Sequence, residues 1–130
     1  MNIIVCLDDK NGMQFNRRRQ SRDEAVYRKI LELSALTELW VNSYSENLFE
    51  RDAVKVSEDF LRQAKSGEFC FVEDQDVLPY SDRIEKIYVF RWNRVYPSDR
   101  EFPTELIRGE KKVITEFAGK SHPLITLEVY

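Results

Sequence analysis

One histidine, His122, and two cysteines, Cys6 and Cys70, are all that the sequence offers in imidazole and thiol metal ligands. A single imidazole cannot build the multi-histidine centres of metallo-hydrolases and their nuclease relatives, and the two thiols lack metal-site spacing. Glycine and proline number only four each, and no low-complexity linker or internal repeat divides the chain. No apolar run is long enough to span a bilayer, so no membrane partner is expected. The opening "MNIIVCLDDKNG" also lacks the basic region and apolar length of a secretory signal. The expected compartment is therefore the cytoplasm, where both cysteines stay thiols. An excess of positive charge is missing as well: 20 Lys and Arg face 23 Asp and Glu, a formal net charge of −3. That balance speaks against nucleic acid as a general partner, since such binders carry a basic excess over a whole face.

What is present is one domain's worth of chain. The 130 residues, 42% of them hydrophobic and 33% charged, suffice for one real core. "IIVCL" is a continuous β-rich run, as in a strand covered on both faces, and Asn11-Gly12 then signals a turn. In "QSRDEAVYRKILEL", Ser21 and Glu24 have capping-box spacing, and Val26, Tyr27, Ile30, Leu31 and Leu33 form a helical stripe. "ELWV" reads as a second strand, Ser45 as the cap of a short helix, and "AVKV" as a brief strand. Ser57 then opens a helix carrying Phe60, Leu61 and Ala64 that stops at Gly67. "FCFV" is a third buried strand. Beyond Pro79, "KIYVFRWNRVY", "KKVITEF" and "LITLEVY" alternate in the manner of antiparallel strands.

Three groups of residues invite a chemical reading. "FCFV" runs into Glu73, Asp74 and Asp76, at a strand end where open α/β sheets usually receive anions. Arg17, Arg18, Arg19 and Arg22 are the densest charge in the chain. They read either as a solvated loop neutralised by Asp8, Asp9 and Glu24, as guanidinium forks for a phosphate or carboxylate, or as a nucleic-acid contact. Tyr88, Phe90, Trp92 and Tyr96 form an aromatic stripe suited to a core or a subunit interface. His122, before Pro123, reads as a turn residue leading into the last strand.

In this order, "IIVCLDDKNGM", "QSRDEAVYRKI", "LWVNSYSENLF", "LPYSDRIEKIYVF", "YPSDREFP" and "ITLEVY" make most of the chain resemble the dihydrofolate reductase-like superfamily. The resemblance implies a single three-layer α/β domain over residues 1–130. Its central sheet would be mixed and mainly parallel with "IIVCL" in the middle, helices would lie on both faces, and the C-terminal strands would be antiparallel. It makes Asp23 the counterpart of the family's active-site carboxylate, which pairs with a pterin ring and helps deliver a proton. A carboxylate there is also what the first turn of any helix favours. The departures bear on NADPH. The family's glycines after the third strand are replaced by Glu73 and Asp74, and Leu78-Pro79 arrives about one helical turn (~5 Å) early. Asn42-Ser43 stands where the family touches the cofactor, and only "ERDA" remains of the segment that would hold the adenosine ribose. Phe90 replaces the threonine that commonly supports the carboxylate.

The expectation is a divergent, shortened member without a cofactor. It would bind a small anionic or pterin- or nucleotide-like ligand in the old cleft, with Asp23 as catalytic candidate and Arg17, Arg18, Arg19 and Arg22 as ligand-binding candidates. An NADPH-dependent reductase is the alternative. A third reading is a non-enzymatic interaction domain, pairing as a homodimer through its aromatic C-terminal strands.

Overall fold

The β-branched run at the N-terminus becomes the middle strand of the molecule. In the computed structural model, which describes residues 1–130, ten strands and two α-helices follow in the order β1 (Asn2–Leu7), β2 (Gly12–Phe15), β3 (Arg18–Arg19), α1 (Glu24–Leu33), β4 (Leu39–Val41), β5 (Lys55–Val56), α2 (Phe60–Gln63), β6 (Phe69–Phe71), β7 (Lys86–Arg91), β8 (Arg100–Glu101), β9 (Lys112–Phe117) and β10 (Ile125–Val129). Seven of the strands form one sheet in the order β5-β4-β6-β1-β7-β10-β9. Every pairing from β5 to β7 is parallel, and β10 pairs antiparallel with both β7 and β9. The chain is thus α/β with a mixed, mostly parallel sheet.

Strand alternation divides the core in two. Ile3, Val5 and Leu7 of β1 pack with Phe60, Leu61 and Ala64 at α2. Ile4 packs instead with Val26, Tyr27 and Ile30 of α1, and with Phe71 and Phe90 from the neighbouring strands. The helices therefore cover opposite faces. A strand buried on both sides has no polar face, which is why "IIVCL" shows no alternation. No helix is long and apolar enough to cross a membrane.

Local signals give way to tertiary ones at several points. The cap of α1 is Asp23, whose side chain accepts from Ala25 N–H at 2.9 Å. Ser21 is drawn elsewhere. Ser45 precedes a 3-10 turn at Glu46–Leu48 without capping it, because its hydroxyl donates to Glu73 at 2.7 Å. The second helix is a single turn, with Asp59 N–H held by Ser57 Oγ. A second sheet, β3-β2-β8, lies beyond what the sequence pattern indicated. Cys70 is fully buried and Cys6 is half-buried, and both are free thiols.

Candidate functional site

The arginine segment is split by its own hairpin. Gln14 pairs with Arg19 and Phe15 with Arg18, leaving Asn16 and Arg17 as a two-residue turn with φ of 51° and 62°. Both central residues lie in the left-handed region that such tight hairpins require. Arg17 and Arg18 consequently stand exposed at the tip. Arg19 turns inward and forks onto Glu73, Nε to Oε2 at 2.9 Å and Nη2 to Oε1 at 3.0 Å. Its guanidinium also lies 5.0 Å from the centre of the Tyr44 ring. Arg22 is exposed further along. The four candidate arginines do not converge on one point.

Nor do the three carboxylates after β6 form an open acidic patch. Glu73 is 8% exposed and answers Arg19 and Ser45. Asp74 accepts from Asn42 Nδ2 at 2.9 Å. Asp76 Oδ1 takes Leu78 N–H at 2.9 Å, occupying the start of the 3-10 segment Leu78–Arg83. No group of three His, Cys, Asp or Glu side chains gathers as a metal site.

Asp23 sits at the other end of this region, 2% exposed. Its Oδ1 accepts the N–H groups of Ala25 and Lys120 at 2.9 and 3.0 Å. Its Oδ2 accepts Ser121 N–H at 2.9 Å and lies 3.0 Å from His122 Nδ1. Burial alone would raise this carboxyl. The Lys120, His122, Ser121 and Ala25 donors together outweigh burial and hold it well below the ordinary carboxylate range. Gly119 makes the close approach possible: a Cβ there would collide with Asp23 Oδ2 and come within 2.8 Å of the His122 carbonyl oxygen.

His122 lies in the bend that leads into β10, as its place before Pro123 suggested, but it is buried there. It is 3% exposed, and its ring stacks on Trp92 with centroids 4.7 Å apart at 24°. On its far side, Nε2 lies 3.0 Å from both Ser21 Oγ and the Tyr96 hydroxyl. A buried polar line thus runs from Asp23 through His122 to two half-buried hydroxyls. Residues 23 and 122 are joined only by the packing of the β9–β10 connection on the start of α1, so no local spacing announces them. The one usable signal was that His122 is the sole histidine.

Two spaces adjoin these residues. A cavity of about 10 Å³, enough for one water, is lined by Cys6, Arg19, Gln20, Ser21, Glu73 and Trp92 among others. Burial first, and the Glu73 charge second, push the Cys6 thiol up and make it a poor nucleophile. An open groove of about 380 Å³ runs along α1 instead, floored by Tyr27, Leu31, Leu48 and Phe49 and flanked by Arg22, Arg28, Glu24 and Glu50. Of the four candidate arginines, Arg22 alone lines this groove. No protein-family model matches the chain, and a search of the curated proteins finds no match.

Proposed function

We propose that the chain is a divergent dihydrofolate reductase-like protein that binds a small anionic ligand carrying an aromatic ring, pterin- or nucleotide-like, and does not carry out NADPH-dependent reduction. The fold reading is supported by β1 lying between β6 and β7 and by the antiparallel β10 and β9, the arrangement the resemblance implies. The observation that carries the ligand is the groove along α1. Arg22 and Arg28 border it without an ion-pair or hydrogen-bonding partner for either guanidinium, above the apolar floor of Tyr27, Leu31, Leu48 and Phe49; of the two carboxylates that also line it, Glu24 and Glu50, Glu24 is paired with Lys120. Its volume of about 380 Å³ suits a small ligand, whereas the cavity beside Ser21 admits one water. Asp23, with both oxygens engaged, serves this site by fixing the start of α1.

A second reading has one observation in its favour. The edge strand β9 leaves Val113 and Ile114 each 53% exposed, as a self-pairing interaction domain would. Sedimentation velocity separates it: a homodimer dispersed by Ile114→Lys supports pairing, and a monomer at all concentrations removes it.

The ligand reading is tested by thermal shift with folate, a nucleoside monophosphate, inorganic phosphate and NADPH, since binding to the native state raises the melting temperature. Folate or the nucleotide should stabilise the wild type and leave an Arg22→Ala, Arg28→Ala variant unmoved. Absence of any shift, or equal shifts in both proteins, would remove the groove from consideration.

A further inference from the structure

We propose that Ser21 is a nucleophile for acyl transfer, with His122 as its base and Asp23 as the residue that positions the base. The three side chains form an unbroken line: Asp23 Oδ2 to His122 Nδ1 is 3.0 Å, and His122 Nε2 to Ser21 Oγ is 3.0 Å. A carboxylate on Nδ1 keeps the ring proton there and turns the Nε2 lone pair toward the hydroxyl, which is the arrangement that activates a serine in unrelated folds. Stacking on Trp92 holds the ring plane.

Exposure is graded along the line. Asp23 and His122 are 2% and 3% exposed, while Ser21 is half-buried and reaches solvent. The base is shielded and the nucleophile accessible. The Tyr96 hydroxyl is also 3.0 Å from Nε2 and 3.4 Å from Ser21 Oγ. Neutral imidazole has one lone pair at Nε2, so Tyr96 competes for the base at rest.

A small cavity lies beside Ser21. Gln20 Nε2 donates to Asp8 Oδ2 and to the Pro97 carbonyl at 3.1 and 3.2 Å, which fixes the amide's orientation. Its Oε1 is then left buried without a partner. A space of about 10 Å³ lined by Gln20, Arg19, Ser21 and Glu73 accommodates one water, which would give Gln20 Oε1 its missing donor. Arg19 bonds Glu73 and the Tyr44 carbonyl through Nε and Nη2, and its Nη1 makes no hydrogen bond within the protein.

In the step itself, Ser21 Oγ bonds to the acyl carbon as its proton passes to Nε2 and the carbonyl π pair moves onto oxygen. Collapse of the tetrahedral species re-forms the carbonyl and expels the alcohol or thiol, which takes the proton from Nε2. A water then attacks the acyl-serine, gives its proton to Nε2, and releases the carboxylic acid as Ser21 is reprotonated. Because the cavity holds no more than one water, the acyl chain must lie on the solvent side. The substrate class is an ester or thioester of a small acyl group.

The experiment incubates the folded wild type with a fluorophosphonate probe, maps the modified peptide by mass spectrometry, and follows p-nitrophenyl acetate hydrolysis in parallel. The label should fall on Ser21, form about a hundredfold faster or more than in heat-denatured protein, and vanish in Ser21→Ala. Tyr96→Phe should label at least as fast as the wild type, since it removes the competitor for Nε2. A wild type that labels no faster than denatured protein, or that carries the label on Tyr96 or elsewhere, overturns the proposal whether or not Ser21→Ala folds. So does loss of labelling in Tyr96→Phe.

Discussion

Asp23 is where competing demands on one side chain are sharpest. It caps α1, anchors the β9–β10 connection through Lys120 and Ser121, and pairs with His122. Its folded-state pKa is depressed, so it stabilises the fold above the unfolded value of about 3.9. Between the two values the unfolded chain binds the extra proton, so stability rises with pH there and is lost as pH falls through the folded value. Asp23→Asn should cost about 3 kcal/mol at pH 7, the order expected when one partner of a buried pair is removed. The variant should also lose less stability than the wild type on going from pH 5 to pH 3. Urea denaturation across that range measures both, and parallel acid dependences would mean that the carboxylate is not held as described.

At the scale of elements, the hairpin of β2 and β3 is pinned to the end of β6 by Arg19 and Glu73. The Arg19 side chain is 26% exposed and that of Glu73 8%, so removing the arginine strands a carboxylate in a largely dry place. Arg19→Met should destabilise by about 3 kcal/mol. Adding Glu73→Gln should recover part of that loss, giving a coupling energy of about 1–3 kcal/mol in a double-mutant cycle. Additive losses would reduce the pair to an incidental contact. This junction also marks how far the sequence could be read. "IIVCL", "FCFV" and "KIYVF" were legible as β1, β6 and β7 because β-branched and aromatic runs between turn residues have few other fates. The capping residue of α1 was not, because Ser21 and Asp23 are both good caps and the choice was made by His122, ninety-nine residues after Asp23. The hairpin was hidden for a similar reason. Its turn is Asn16-Arg17, and an arginine with positive φ carries no turn signature. The segment therefore read as a cluster of four like charges instead of two strands sending their side chains different ways.

For the molecule as a whole, the carboxyl ends of the parallel strands are where charge bears most directly on an anion such as the pyrophosphate of NADPH. In a sheet of this kind an anion is expected outside those ends, at backbone N–H groups left free by a following helix. Here the N–H groups are already taken by the protein's own carboxylates. Asp8, after β1, receives the N–H groups of Lys10, Gly12 and Tyr96. Burial would raise Asp8, but those donors and Gln20 together lower it, so it stays ionised. Asp76 takes Leu78 N–H after β6, and Glu73 stands between the two strands bonded to Arg19. A pyrophosphate brought here would meet the carboxylates of Asp8 and Asp76 and have to compete with Glu73 for Arg19, displacing internal hydrogen bonds, a penalty on the order of several kcal/mol at intermediate dielectric. NADPH should therefore give no saturable heat in titration calorimetry with the wild type. Glu73→Gln combined with Asp76→Asn should not create affinity either, because the segment after β6 is a 3-10 turn beginning at Leu78-Pro79 and offers no glycine-lined helix start. A micromolar dissociation constant for the wild type would overturn this account of the strand ends and restore the reductase alternative. Binding that emerged only in the double variant would instead mean that charge alone, and not backbone geometry, excludes the cofactor.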